Sequence, residues 1–349
     1  MSTASSDVER IERRKPASQG RLIGLVSRVR ELGLLAVLIL IVAVVGIQVP
    51  RFLGIDNLEQ ILLSVAILAI VAIGETLVIL TRNIDLSVGS IVGITAFVTA
   101  GLFKEIPGIN LGLAILAGCL LGLVLGMING LLITLGRVPA IVATLGTLNV
   151  FRGLSFVVAS TTTNQVNASD VPNNYLALAT TQILGVPSLI IIALVLAIIV
   201  GYFLHASRVG RQLYAIGSNP EAASAIGIRR DLLVFGAFAV SGLLCGLAGV
   251  LWGARFATVD ATAATGLELE VIAAVVVGGV NTFGGSGTIL GAMLGVLVLG
   301  TLDNSLNILK ISQFWLQAID GAAIIVAVTL DAFITRWLQR ALISRRKKA

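Results

Sequence analysis

Ten stretches of this chain are apolar enough, and nearly all long enough, to cross a lipid bilayer, and no soluble fold has an interior that could hide them. A hydrocarbon core about 30 Å thick needs about 20 apolar residues in a helix. Runs of this kind occupy residues 32–49, 61–80, 88–103, 111–134, 138–158, 183–204, 232–252, 268–282, 288–309 and 315–334. The third and eighth are the shortest, and they are the ones expected to be broken helices rather than simple crossings. Backbone polar groups find no water in hydrocarbon, so each run is expected to be helical. Composition agrees: the 349 residues are 57% hydrophobic and 12% charged, against about 25% charged in soluble domains. The 38 glycines suit close helix approach in lipid. The expected fold class is all-α, a polytopic membrane protein of about ten helices. A basic segment 1–31 precedes the membrane domain 32–334, and a basic tail 335–349 follows it. The first run is followed by Pro50-Arg51-Phe52 rather than a small-residue cleavage site, so it reads as a retained helix.

Charge orients the bundle. With the N-terminus inside and the runs alternating, 19 of the 24 Lys and Arg residues fall on the cytoplasmic side. Outside fall only Arg51, Lys104, Arg255 and Lys310, while Arg152 lies within a run. That asymmetry is the positive-inside rule. It puts both termini and the loop 205–231 in the cytoplasm, and the Lys/Arg-free loop 159–182 on the opposite face. The net charge of +6 is thereby a matter of topology, and nucleic acid is not an expected partner.

Catalytic chemistry has little to stand on. No Gly-Lys-Ser/Thr exists for a Walker loop, so any ATP is handled by another chain. The single histidine, His205, lies at a membrane edge, and neither a nucleophile–base pair nor a metal site can be built from it. Cys119 and Cys245 sit in apolar runs as small packing residues. No metal or cofactor is expected. Glu75, Arg152, Asp303 and Asp320 fall in or near spans, where ionisable groups are costly. Helix–helix pairing, with Arg152 as a possible partner, is the plain reading for them, and a place on a substrate pathway is the other.

A weak repeat sets Asn83 over Asn281, with Gly89, Ser90, Ile91 and Gly93 over Gly287, Thr288, Ile289 and Gly291. Each copy has an apolar run, a polar break (81–87 and 281–287) and another run. Both breaks fall on the cytoplasmic side, as in a parallel repeat. Polar, Gly-containing backbone at membrane depth is tolerated where it is buried or lines a cavity. Asn83, Asp85, Ser87, Asn281, Thr282 and Phe283, together with Arg152, are therefore the pathway or gate candidates, tight turns being the alternative for the breaks.

The strongest local signal is Gly217-Ser218-Asn219-Pro220-Glu221-Ala222-Ala223-Ser224-Ala225-Ile226-Gly227. Asn219 suits an N-cap, Pro220 the first turn, Glu221 the positive end of the helix dipole and Gly227 a C-terminal stop. A short capped helix should stand exposed between two spans, flanked by Arg208, Arg211, Arg229 and Arg230.

Glu221-Ala222-Ala223, three residues, then Gly227 resembles the EAA loop of permeases of ATP-binding-cassette importers. Ser207–Gly217, Val78–Ser90 and Ala273–Gly285 resemble the ribose-type branch of that superfamily, and the likeness runs over roughly residues 35 to 335. Arg82-Asn83 departs from it, since relatives usually carry a smaller pair. The resemblance implies a bacterial inner-membrane permease that works as a dimer, with ATPase subunits docked beneath and a periplasmic sugar-binding protein above. It implies a coupling role for Asn219, Pro220, Glu221, Ala222, Ala223 and Gly227, with Arg208 and Arg211 beside them. A secondary transporter is the rival reading. It leaves the EAA-type loop without a purpose.

Overall fold

The computed structural model describes residues 17–312 and, beyond them, positions 315, 318, 319, 321, 322, 325 and 329, with side chains from residue 31 onward. The basic segment 1–16, most of the run 315–334 including Asp320, and the tail 335–349 lie outside the described residues.

Twelve α-helices make up the described chain: α1 (Ala17–Gln48), α2 (Ile55–Leu80), α3 (Val88–Glu105), α4 (Leu111–Thr134), α5 (Ala140–Thr161), α6 (Asn173–Thr180), α7 (Ser188–Ala206), α8 (Arg208–Ser218), α9 (Pro220–Ala225), α10 (Arg230–Phe256), α11 (Leu267–Val277) and α12 (Ile289–Ile308). Eight of these are long and apolar enough to cross a membrane: α2 to α5, α7, α10, α12 and the 31–48 part of α1. The chain is thus an all-α polytopic membrane protein. Among the described residues, β-structure is limited to two-residue strands: β1 (Gln165–Val166) pairs antiparallel with β4 (Val259–Asp260), and β2 (Gln182–Ile183) with β3 (Val186–Pro187).

The two shortest runs turn out differently: the eighth is broken, as expected, and the third is not. The eighth run, 268–282, is not a span: α11 has 11 residues, about 16 Å at 1.5 Å per residue. Gly278 and Gly279 end it, and the polar turn that follows removes the rest of the run. The third run is an 18-residue helix and needs no break beyond the one before it. Within the described residues, α1 is already helical at Ala17, inside the basic segment.

The core is built on α2 and α10. α2 is buried from Val65 to Leu80 without interruption, as a helix surrounded by other helices must be. α10 packs on α3, α2 and, most extensively, α4. The α4–α10 crossing brings backbone against backbone. A Cβ on Gly242 would fall 2.6 Å from the Cα of Gly126 and still nearer the carbonyl oxygen of Gly122, so only glycine permits this approach. The outward faces of α4, α5 and α7 expose Leu116, Leu120, Val124, Val150, Leu154, Ile198 and Ile199. An exposed apolar surface of this extent matches lipid, not water.

Candidate functional site

The loop between α7 and α10 is two helices rather than one. Ser207 caps α8, its Oγ accepting from Gly210 N at 2.8 Å. Arg208 and Arg211 are exposed on its first turn, and Arg211 Nη1 donates to the carbonyl of Ala206 at 3.1 Å. Asn219 then caps α9: its Oδ1 accepts from Ala222 N at 3.0 Å, Pro220 is the first helical residue and Glu221 lies in the first turn. Gly227, at φ +84°, stops the chain from continuing as helix. Glu221, Ala222, Ser224 and Ile226 are exposed, while Ala223 is buried against the bundle. The local expectations for Asn219, Pro220, Glu221 and Gly227 hold residue by residue.

The two polar breaks meet at the end of α8. In the first, Arg82 adopts φ +67°, which is costly for a side chain with a Cβ. Its guanidinium is aimed across the junction: Nε donates to the carbonyl of Gly217 and Nη2 to that of Ser218 at 2.9 Å. From the second break, Gly285 N donates to the carbonyl of Leu80 at 3.1 Å, and Ser218 Oγ lies 3.4 Å from the carbonyl of Gly285. Tyr214 on α8 donates its hydroxyl to the carbonyl of Gly287 at 2.9 Å, and burial pushes that phenol's pKa up. Both breaks and the approach to α9 therefore share one end of the bundle. Gly217 is required there, because any Cβ would collide with the Leu80 carbonyl and the Gly285 N–H.

Both breaks are turns, and they differ in depth. Asn83, Asp85 and Ser87 are buried. Asn83 Nδ2 donates to the Thr81 carbonyl at 3.0 Å. Asp85 Oδ1 accepts from Ser87 N at 2.9 Å and Ser87 Oγ at 2.6 Å, and Asn129 of α4 donates to Ser87 Oγ at 2.7 Å. The second break is shallower: Asn281 Oδ1 accepts from Phe283 N at 2.7 Å, Thr282 is half-buried and the Phe283 ring is 69% exposed.

Arg152 stands apart from these six. It lies on α5, half-buried, where Nη1 donates to the carbonyls of Ala263 at 2.6 Å and Ala261 at 3.3 Å. Glu268 and Asp260 supply the negative field around it. The 257–266 connection it holds dips into the bundle, since a Cβ at Gly89 would lie 2.9 Å from the carbonyl of Ala264. Glu75, one of the acids for which Arg152 was a possible partner, accepts from the backbone N–H of Asp85 at 3.0 Å.

At the other end of the bundle, the loop 159–182 is folded, not loose. Asn167 and Asp170 cap each other, and Lys104 Nζ lies 3.5 Å from Asp170 Oδ2. Tyr175, buried, donates to the carbonyl of Val250 at 2.8 Å.

Sequence reasoning passed over Arg82, Tyr214, Asn129 and the 257–266 connection as parts of the site. Arg82 carried a signal, being a charged residue at a polar break. The others carried none, because their partners are main-chain carbonyls or lie far away in sequence.

Residues 57–328 match the family described as branched-chain amino acid transport system / permease component. The ribose import permease protein of Haemophilus influenzae is 36% identical over 298 residues, 85% of this chain and 91% of that one. Its namesake from Bacillus subtilis is 40% identical over 302 residues, 86% and 92%. The autoinducer 2 import system permease protein of Yersinia pseudotuberculosis is 36% identical over 302 residues, 85% and 83%. No solved structure matches. A permease component is the membrane subunit of an ATP-binding-cassette transporter, with the ATPase and the binding protein as separate chains, and it is multi-pass in the bacterial inner membrane. On the length matched and the identity, this chain belongs to that family of transport-system permease components.

Proposed function

We propose that this chain forms the membrane pathway of an ATP-driven importer for a monosaccharide of the ribose type. A periplasmic binding protein delivers the sugar at the 159–182 end, and an ATPase docks at α9. The observation that carries the reading is the junction: the residues leading into α9 are hydrogen-bonded to both polar breaks through Arg82 and Gly285. A rigid-body push on an exposed capped helix would thereby shift both breaks together, which is how a stroke at the surface is converted into opening or closing of a path.

In this reading Asn219, Pro220, Glu221, Ala222, Ala223 and Gly227 receive the ATPase, with Arg208 and Arg211 at the rim. Asn83, Asp85, Ser87, Asn281, Thr282 and Phe283 form the inner gate, and Arg152 secures the outer side of the path. The chain works as a pair with itself or a paralogue, both ends in the cytoplasm, with 32–334 as the membrane domain and lipid around its apolar faces. The relatives named for ribose, at 36% and 40% identity, support a sugar as cargo.

The test is reconstitution in vesicles with the cognate ATPase and binding protein. Uptake of labelled ribose that requires all three components and ATP supports the reading. Uptake driven by an ion gradient with neither partner present would overturn it.

A further inference from the structure

Two carboxylic acids are buried next to each other in the bundle, and among the described residues no cationic side chain bonds to either. Glu75 on α2 and Asp85 in the first break are both 0% exposed, and the backbone N–H of Asp85 donates to Glu75 Oε1 at 3.0 Å. Their surroundings differ. Asp85 Oδ1 receives two donors from Ser87, and Asn129 Nδ2 lies 3.4 and 3.5 Å from the two Asp85 oxygens. Glu75 has the single N–H of Asp85, and its Oε2 is buried with no hydrogen-bond partner. A carboxylate in low dielectric stays ionised where donors surround it, while one with a bare oxygen beside another anion keeps a proton.

Among the described residues, the groups facing Glu75 from other elements supply no counter-charge. Arg82 of the same break is turned away to the carbonyls of Gly217 and Ser218. α4 brings the Asn129 amide, and α10 brings the Ser241 hydroxyl and the Cys245 thiol, all buried. The further helices against α2 add acids, Glu268 and Glu270 on α11 and Asp303 on α12. The basic groups His205, Arg208 and Arg211 of α7 and α8 are exposed.

We propose that Glu75 is a proton-binding site of the membrane core, occupied in this conformation and linked to the position of the first break. The site is geometric in origin: the one donor to Glu75 is the backbone of Asp85, so any shift of the 81–87 turn removes that donor and changes the distance between the two acids. A proton needs no cavity. A hard divalent cation takes about six oxygen ligands, whereas the unpartnered oxygens here are Glu75 Oε2, Asn129 Oδ1 and Ser241 Oγ. The link to the break rests on the gate reading given above. The proton itself does not.

The experiment uses the purified full-length permease in lipid nanodiscs. Infrared difference spectra between acidic and alkaline buffer should contain a protonated-carboxyl C=O band, shifted in D2O, absent in Glu75→Gln and retained in Asp85→Asn. The wild-type melting temperature should fall as pH rises, since a group neutral when folded and ionised when unfolded loses stability with rising pH. Glu75→Gln should flatten that slope. A band lost in Asp85→Asn instead, or no band in the wild type, overturns the proposal. So does a melting temperature that follows Na+ or K+ at constant pH, which would make this a cation site. With ATPase and binding protein added, Glu75→Gln should flatten the pH profile of uptake. An unchanged profile with the band lost would sever the link to the gate and leave the proton site standing, and no ATP-dependent uptake by the wild type would instead sink the importer reading.

Discussion

Gly285 donates its N–H to the carbonyl of Leu80 at 3.1 Å, so the second break is hydrogen-bonded to the last turn of α2, the helix that leads into the first. Neither break can move far alone while this bond holds. Arg82 adds the third party, because its guanidinium reaches the carbonyls of Gly217 and Ser218, immediately before the cap of α9. Three chain segments distant in sequence thus form one mechanical unit at one end of the membrane domain.

Arg82 is the side chain whose removal tests that unit. Arg82→Ala deletes two charge-assisted hydrogen bonds, each worth about 1.5–3 kcal/mol where buried and less at this exposed position. Sugar taken up per ATP hydrolysed should drop several-fold, while the ATPase still co-purifies. Arg82→Lys should restore only part, since an ammonium cannot serve two carbonyls with a planar fork. Arg82→Gly separates coupling from stability: it relieves a left-handed residue, about 1–2 kcal/mol, and should melt above Arg82→Ala yet couple equally poorly. Full coupling in both variants would show that the junction transmits nothing.

The cap of α9 yields a second prediction. Asn219→Ala leaves the Ala222 N–H without its partner and should cost about 1 kcal/mol of local helix stability. In a six-residue helix that is enough to fray it. Co-purification of the ATPase should weaken, with the permease itself still folded. Glu221→Lys places a positive charge at the positive end of the helix and on its exposed face, and should weaken docking further. Wild-type docking and uptake in Glu221→Lys would remove α9 from the coupling role.

The spans and the α9 cap were legible because each is local. Apolar length reports a helix in lipid, and Asn219-Pro220-Glu221 followed by Gly227 reports a capped turn, whatever surrounds them. The short α11 was half legible: its run was among the shortest, but only Gly278 and Gly279 with their tertiary contacts decide where the helix stops. Asn83, Asp85 and Ser87 stood out as polar residues at membrane depth. The link from that break to Gly217 did not, because Arg82 makes it to backbone carbonyls that any residue supplies. Arg152 illustrates the same limit: its charge marked it, yet its partners are the carbonyls of Ala261 and Ala263, so no search for an acidic partner could find them.

Packing of α4 on α10 gives a prediction independent of function. Gly242→Ala puts a Cβ into the backbone of Gly122 and Gly126, and overpacking of this kind costs about 1–3 kcal/mol. Gly236 lies on the same helix with nothing within 4 Å of its Cβ position, and there Ala should gain up to about 1 kcal/mol from better helix propensity. Thermal unfolding in detergent should therefore move in opposite directions for the two substitutions. Equal shifts would mean that the two helices do not touch at Gly242.

Acid should loosen the 159–182 loop through Asp170. The Asn167 backbone N–H, then the charge of Lys104, hold the Asp170 carboxyl below its usual pKa. A carboxylate with a depressed folded value contributes stability that is fully present above its unfolded value, about 3.9, and is lost as pH falls through the folded one. Hydrogen exchange at 165–180, corrected for intrinsic rates, should accelerate over that acid range in the wild type. Asp170→Asn keeps the shape but not the charge, so its exchange should be faster at neutral pH and flat across the same range. Added salt should erode only the Lys104 part, because that ammonium is 3.5 Å away and partly exposed, while the Asn167 bond, at 2.9 Å, is short and local. If the wild type and Asp170→Asn respond to acid alike, the reciprocal cap between Asn167 and Asp170 is not what orders this end of the loop.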